Sequence, residues 1–124
     1  MDMKRLFIAD DTEGFRVLVR KVAESHDWGV TECENGRELL DALSESTDPG
    51  VIFVDLQMPE LDGIETLMTL ADRCDERQIY IVTGGPSTNA SAAELMSKGK
   101  GLNVKDVLFK PIHLNRLTEI LGTA

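Results

Sequence analysis

Short apolar runs alternate along this chain with longer stretches in which apolar residues recur every three or four positions. Four runs are almost wholly apolar, at 6–9, 51–54, 79–82 and 107–109, and a less apolar one lies at 30–33. Runs of this length are typical of β-strands, whereas a spacing of three and four residues predicts amphipathic helices. The pattern therefore predicts strands and helices in alternation.

The predicted elements form five strand–helix pairs. Helices are expected at about 13–25, 36–45, 64–73, 89–98 and 112–121, and a turn is expected at 27–29. Strands separated by helices of this length imply right-handed crossovers between parallel strands. The sequence thus predicts an α/β fold, in which a doubly wound five-stranded parallel sheet is flanked by five helices. Residues 1–124 are expected to form one domain.

Composition narrows the possible functions. The chain has 42% hydrophobic and 28% charged residues, as expected of a globular domain, and its net charge of −9 disfavours direct binding to nucleic acid. The first apolar run is too short for a signal peptide or a membrane span, so no membrane attachment is expected. Cys33 and Cys74 lie far apart and are expected to be reduced thiols in the cytoplasm.

Four of the five strands end at polar residues with related chemistry. Asp10 and Asp11 follow the first strand, Asp55 the third, Thr83 the fourth and Lys110 the fifth. Parallel strands bring these ends to one edge of the sheet, where ligands of open α/β sheets bind. Grouped carboxylates repel one another unless a hard cation such as Mg²⁺ neutralises them. Together with an ammonium and a hydroxyl, they indicate a site for phosphoryl transfer.

Each of these residues taken alone has an ordinary structural explanation. Asp10, Asp11 and Asp62 are suitable helix caps, and Lys110 could be a surface lysine. Their joint occurrence at successive strand ends favours a functional site instead.

Over its whole length the chain resembles the receiver domain of two-component response regulators, the chemotaxis-type phosphoacceptor domain. The matching motifs are 10–11, Asp55, Met58-Pro59, Asp62-Gly63, Thr83, Lys110-Pro111 and the run 111–117. The resemblance implies a flavodoxin-like fold with strand order 2-1-3-4-5 and a cis Lys110–Pro111 bond. The segment 101–111 is also similar to receivers that precede EAL-type cyclic-di-GMP phosphodiesterase domains.

The resemblance implies a phosphoacceptor and a metal site. Asp55 would accept a phosphoryl group from the phosphohistidine of a sensor histidine kinase or phosphotransfer protein. Asp11, Asp55 and the backbone carbonyl of Gln57 would bind Mg²⁺ directly, and Asp10 would act mainly through water. The domain would then be a signalling switch rather than an enzyme, with self-catalysed phosphoryl transfer and slow autodephosphorylation.

The resemblance also implies how the signal is sent. Lys110 would pair with Asp55 and then with the phosphoryl oxygens. Thr83 would hydrogen-bond the phosphoryl group and report it to the face formed by the last two helices and the last strand. That face would contact an output protein or a following effector domain.

Two features depart from the usual receiver pattern. Val107 stands where receivers carry Tyr or Phe, three residues before the lysine, and the aromatic residue here is Phe109. Signalling is therefore expected to involve displacement of the loop 84–87 and of the helix after it. The stretch between Thr83 and Lys110 is also several residues longer than usual, with 98–104 as the expected excess.

Two other functions are consistent with parts of this pattern. A small phosphatase with an aspartyl-phosphate intermediate would need a second Asp two residues after the nucleophile, where this chain has Gln57. A flavodoxin-like binding module would need a phosphate-binding loop after the first strand, where Asp10 and Asp11 would repel a phosphate. Both differences favour the signalling switch.

Overall fold

The computed structural model describes residues 4–58, 60–85 and 87–123, which form five strands and five helices. The strands are β1 (Lys4–Ala9), β2 (Trp28–Cys33), β3 (Val51–Asp55), β4 (Gln78–Thr83) and β5 (Asn103–Phe109). The helices are α1 (Glu13–Glu24), α2 (Gly36–Ser44), α3 (Gly63–Asp72), α4 (Ser87–Gly99) and α5 (Leu114–Thr123). Pro59 of the Met58-Pro59 motif and Pro86 of the predicted loop lie outside the described residues. Among the described helices, none has the length and apolar content needed to cross a bilayer.

The strands form one parallel sheet in the order β2-β1-β3-β4-β5, which confirms the predicted fold class and strand order. Helices cover both faces. Buried residues of α1 and α5 pack on one face, together with Phe53, and those of α2, α3 and α4 pack on the other, together with Phe7. Strands buried on both sides explain why the runs in the sequence are continuously apolar.

The strand register places the predicted site residues side by side. Ala9 pairs with Val54, so Asp10 and Asp55 follow neighbouring positions of β1 and β3. Thr83 pairs with Phe109, the residue before Lys110, at the same edge of the sheet. The carboxyl ends of four strands thereby meet, as the sequence predicts.

Gly63 allows α3 to begin directly beside the end of β3. Its N–H donates to the carbonyl of Leu56 at 3.2 Å, and a Cβ at this position would lie 2.6 Å from the Cα of Leu56. Any side chain here would therefore overlap the backbone next to Asp55. Asp62, just before it, caps α3 by accepting a hydrogen bond from the N–H of Glu65, as predicted.

The start of β2 differs from the prediction. The turn expected at 27–29 is shorter, because β2 begins at Trp28 and pairs there with Lys4. Asp27 alone carries the turn's positive φ of 67°. Trp28 is buried, and its indole N–H donates to the carbonyl of Leu121 in α5 at 2.7 Å. A distant partner therefore extends the strand across residues that resemble a turn locally.

Strand β5 begins earlier than the apolar run at 107–109 indicates. Its first residues lie in the segment 98–104, which was expected to be additional to the usual receiver length. Helix α4 continues to Gly99, and β5 already begins at Asn103. The pairing with β4 passes from Val104 to Asp106, so Lys105 is an extra residue in a bulge. Because a bulge changes which face successive residues occupy, Val104 and Leu108 pack on opposite faces of the sheet. A regular alternation would have placed them on the same face, which concealed the first half of the strand.

Candidate functional site

Asp55 ends β3 and is almost completely buried, with 3% of its surface exposed. One carboxylate oxygen, Oδ1, accepts a hydrogen bond from the backbone N–H of Gln57 at 3.0 Å. The other, Oδ2, lies 3.3 Å from the ammonium of Lys110. The carboxylate is thus held from two sides in a fixed orientation.

Lys110 joins the end of β5 to the acidic residues. Its Nζ lies 2.8 Å from Oδ2 of Asp10 and 3.3 Å from Oδ2 of Asp55. Its backbone N–H donates to the carbonyl of Thr83 at 2.8 Å, and the bond to Pro111 is cis, which confirms that expectation. The ammonium therefore pairs with the carboxylates that follow β1 and end β3.

Burial and charge shift the pKa values of this pair upward. Burial is the main reason that the pKa of Asp55 is raised, and repulsion by Asp10 adds to it, while the Gln57 N–H and Lys110 oppose it. Burial would lower the pKa of Lys110, but Asp10 and Asp55 outweigh it and raise that pKa. The Lys110 ammonium therefore stays charged at neutral pH. A further positive charge nearby would stabilise the ionised form of Asp55.

Three carboxylates are grouped closely enough to hold a metal ion. One oxygen from each of Asp10, Asp11 and Asp55 lies within 4.8 Å of the other two. Asp10 is buried, and its Oδ2 is paired with the Lys110 ammonium at 2.8 Å. An oxygen-only donor set of three closely grouped carboxylates fits Mg²⁺. That the carbonyl of Gln57 is a further ligand stays a prediction.

Thr83 ends β4 with 1% of its surface exposed. Its hydroxyl oxygen accepts a hydrogen bond from the N–H of Gly85 at 2.9 Å, so the side chain is tied to the loop before α4. A Cβ on Gly85 would overlap the side-chain amide of Gln57, which lies across the same loop. Thr83 and Gln57 thus adjoin one glycine beside the end of β3.

The two residues of the unusual pattern in β5 have different environments. Val107 is partly buried and packs against the core beneath α2, α3 and α4. Phe109 is 49% exposed. The ring of Phe109 is therefore on the surface. Val107 makes an aliphatic contact with the core at the position where the resemblance leads us to expect an aromatic residue.

Two residues of α1 that contact the site were not identified from the sequence. The ring centroid of Phe15 lies 4.7 Å from Nζ of Lys110, a distance typical of a cation–π contact. Arg16 is buried, and its guanidinium donates to the backbone carbonyl of Asp10 at 2.7 Å. A signal for Arg16 was present, since a basic residue stands in phase with buried Val19 and Ala23 shortly after the acidic pair.

Cys33 lies behind the site and is not a candidate nucleophile. Its carbonyl accepts the N–H of Asp10 at 3.1 Å, and burial raises the pKa of its thiol to about 12. The thiol is therefore protonated at neutral pH.

Taken together, the arrangement supplies one fixed carboxylate, a cation beside it, a hydroxyl and an acidic pocket for a metal. Such a set can place a negatively charged tetrahedral group against Asp55, since Lys110 and a bound cation would offset its charge. The Thr83 hydroxyl would supply a further hydrogen-bond donor to that group.

Comparison with known proteins finds relatives that are named as response regulators or as the chemotaxis protein CheY. The chain matches the family model of the response regulator receiver domain over residues 6–122. It is 28% identical to the chemotaxis protein CheY of Listeria monocytogenes, covering 98% of each chain. It is 30% identical to the response regulator receiver protein CpdR of Brucella abortus, covering 93% of this chain and 91% of that one. The crystal structure of a response regulator from Colwellia psychrerythraea superposes with a TM-score of 0.83 at 28% identity, covering 98% of this chain and 96% of the other.

Proposed function

Because this chain belongs to the response regulator receiver domain family of two-component signalling, we propose that Asp55 is its phosphoacceptor. One observation carries this assignment. The Asp55 carboxylate is buried at the carboxyl edge of the sheet, with Nζ of Lys110 at 3.3 Å and oxygens of Asp10 and Asp11 within 4.8 Å. In the described residues, no other carboxylate group of three meets the same closeness.

The proposed reaction is a displacement at phosphorus. A carboxylate oxygen of Asp55 attacks the phosphorus of a phosphohistidine, a new O–P bond forms, and the P–N bond to the imidazole breaks. The electron pair of that bond leaves with the imidazole nitrogen. The raised pKa of Asp55 in the metal-free protein means that its charge is poorly compensated there. Added positive charge would therefore favour the ionised, nucleophilic form.

Lys110 and Thr83 act on the transferred group. The ammonium of Lys110 already faces Asp55. It therefore pairs with an oxygen of the phosphoryl group when that group is transferred to Asp55. The Thr83 hydroxyl has its oxygen bonded to the Gly85 N–H and its proton available to donate to a phosphoryl oxygen.

Asp11, Asp55 and the Gln57 carbonyl are the proposed direct ligands of Mg²⁺, with Asp10 acting through water. When bound, Mg²⁺ neutralises the carboxylates and offsets the charge of the phosphoryl oxygens.

The proposed partners follow from this chemistry. A sensor histidine kinase or a phosphotransfer protein supplies the phosphoryl group, and an output protein or a following effector domain receives the signal. The proposed compartment is the cytoplasm. The chain acts as a switch with slow autodephosphorylation, because Gln57 stands where an aspartyl-phosphate phosphatase would need an acidic group.

Intact-mass spectrometry tests the assignment. The protein is incubated with a small phosphodonor and Mg²⁺, and the expected result is the gain of one phosphoryl group in the wild type. Asp55→Asn should show no gain, and omission of Mg²⁺ with added chelator should strongly slow the gain in the wild type.

Asp62→Asn serves as the control, since it removes a nearby carboxylate that caps α3 and does not belong to the acidic cluster. This variant should still be phosphorylated. A full phosphoryl adduct on Asp55→Asn would refute the assignment, and a decay within seconds would favour the phosphatase alternative.

A further inference from the structure

We propose that Arg16 is a positioning residue for the metal site, because it fixes the peptide group that joins Asp10 to Asp11. The inference rests on the proposed Mg²⁺ site and assigns a function to a residue outside it. Arg16 touches neither Asp55 nor the acidic oxygens by any described hydrogen bond or ion pair. It acts through the backbone alone.

The Arg16 guanidinium is anchored in the protein interior. The residue is 7% exposed, and Nη1 donates to the carbonyl oxygen of Asp10 at 2.7 Å. On the same guanidinium, Nε donates to Oε1 of Glu32 at 3.2 Å, and Nη2 lies 3.9 Å from Oε1 of Glu34. The planar guanidinium therefore spans from β2 to the loop after β1, which a point charge could not do.

The hydrogen bond to the Asp10 carbonyl determines how both acidic residues project. A peptide group is planar, so this carbonyl and the N–H of Asp11 rotate together. On the other side of Asp10, its N–H donates to the carbonyl of Cys33 at 3.1 Å. The backbone of Asp10 is thus bonded on both sides, and Arg16 supplies the bond nearer to Asp11.

Asp11 depends on this bond more than Asp10 does. Asp10 is buried, and its carboxylate contacts the N–H of Thr12 at 2.8 Å and the Lys110 ammonium at 2.8 Å. Asp11 is exposed, so the direction of its carboxylate is determined chiefly by its backbone. Loss of the Arg16 bond should therefore allow the Asp10–Asp11 peptide to rotate and should move one metal ligand out of place.

Arg20 provides a matched control on the same helix. It also forms an ion pair with Glu32, through Nη1 to Oε2, but among the described residues it makes no hydrogen bond to the Asp10 carbonyl, and it is more exposed than Arg16. Replacing either arginine by methionine removes one positive charge and one partner of Glu32. Only the Arg16 variant also removes the bond to the backbone of Asp10.

The test is the dissociation constant of Mg²⁺, measured by isothermal titration calorimetry on proteins shown by circular dichroism to be folded. Arg16→Met should weaken Mg²⁺ binding by about tenfold, as is typical when a group that orients a metal ligand is lost. Arg20→Met should leave the constant close to that of the wild type, because the bond to the Asp10 carbonyl is kept. Arg16→Lys keeps the charge but cannot span Glu32 and Asp10 together, so it should resemble Arg16→Met, and it replaces that variant if Arg16→Met does not fold.

A second measurement separates positioning from a general loss of stability. The rate of phosphorylation of Arg16→Lys should approach that of the wild type when Mg²⁺ is raised to saturation, because the ligands themselves are intact. A merely structural role would lower the melting temperature and leave the Mg²⁺ constant of the folded protein unchanged.

Asp11→Ala distinguishes failure of the inference from failure of the proposed function. If Asp11→Ala loses Mg²⁺ binding and both Arg16 variants bind like the wild type, the role of Arg16 is overturned and the metal site stands. If Asp11→Ala binds Mg²⁺ as tightly as the wild type, the proposed ligand set is wrong, and the inference drawn from it is overturned as well.

Discussion

At the scale of single residues, the Lys110 ammonium is located by neighbours from three different elements. Asp10 follows β1, Asp55 ends β3, and Phe15 lies in the first turns of α1. The two carboxylates attract the ammonium, and the face of the Phe15 ring occupies a further side of it. A long, flexible side chain loses rotamer freedom when it is held in one place, and the ring contact contributes to offsetting that cost.

Phe15→Leu should therefore slow phosphorylation by a small phosphodonor about two- to fivefold, the change expected from roughly 0.5–1 kcal/mol of cation–π stabilisation. Leucine keeps an apolar side chain in α1 but removes the ring face. The rate is measured by intact-mass spectrometry at saturating Mg²⁺.

Phe15→Tyr is the control for this prediction, because it keeps the ring, and it should react at a rate close to that of the wild type. Equal rates for Phe15→Leu and the wild type would mean that the two carboxylates alone place the ammonium.

The sequence correctly predicted where Asp55 and Lys110 lie, because each stands at the end of an apolar strand, whereas their roles in phosphoryl transfer stay predictions. The apolar spacing over 13–25 correctly predicted the amphipathic helix in which Phe15 is partly buried, but periodicity identifies a face and not a neighbour. Its contact with Lys110 depends on how α1 lies over the end of β5, which is a long-range property of the packed sheet.

At the scale of elements, the loop between β4 and α4 is coupled directly to Thr83. The Thr83 hydroxyl oxygen is the acceptor for the N–H of Gly85, so a rotation of the threonine toward a phosphoryl group would remove that acceptor. Gly84 and Gly85 can absorb a backbone change at low cost. Val107, with a β-branched side chain of few rotamers, offers less freedom to respond.

NMR with beryllofluoride, a phosphoryl mimic, tests this coupling. Chemical-shift changes should extend over residues 84–98 in the wild type, because the Gly85 hydrogen bond is lost and the loop moves. Thr83→Ala should leave phosphorylation largely intact and should reduce the shift changes in that range.

Chemical-shift changes in another region would indicate that a different residue transmits the signal. If residues 84–98 stay unchanged and the region around exposed Phe109 responds strongly, Phe109 has the role that other receivers give to an aromatic residue three positions before the lysine.

At the scale of the whole molecule, the carboxyl edge of the sheet concentrates negative charge in a chain whose net charge is already −9. Carboxylate oxygens of Asp10 and Asp11 lie within 4.8 Å of one of Asp55, and the Lys110 ammonium lies 3.3 Å from Oδ2 of Asp55. The folded-state pKa of Asp55 is raised, chiefly by burial. A carboxyl of this kind favours folding while it is protonated and disfavours it as the pH rises through the folded-state pKa.

In the absence of Mg²⁺, Asp55→Asn should therefore melt at a higher temperature than the wild type at neutral pH. The direction follows because asparagine carries no charge for burial and Asp10 to oppose. The difference should shrink as the pH falls below the folded-state pKa, because the wild-type carboxyl is then neutral too. Differential scanning calorimetry with a chelator present measures both trends.

Asp41→Asn is the control for net charge, since it removes a carboxylate from an exposed position of α2. It should leave the melting temperature nearly unchanged across the same pH range. A parallel rise in both variants would attribute the effect to overall repulsion and not to the environment of Asp55.

The order of elements could be predicted from the sequence because strands buried on both faces and amphipathic helices have distinct periods. The limits of β2 and β5 could not, because both depend on contacts far along the chain. Trp28 continues β2 because α5 accepts its indole N–H, and the bulge at Lys105 hides Val104 from any simple alternation. Local signals thus predicted the topology, and tertiary contacts decided the ends of these strands.

The bond between Trp28 and Leu121 gives the molecule a built-in optical reporter. Trp28 is the single tryptophan of the chain, and its indole is buried against the last turn of α5, at the sheet edge opposite to the acidic cluster. Release of α5 would transfer this indole from an apolar, hydrogen-bonded setting into water, and its emission maximum would move to longer wavelength. Stopped-flow fluorescence can therefore time the detachment of this helix without any attached dye, on a signal distant from the Asp55 carboxylate.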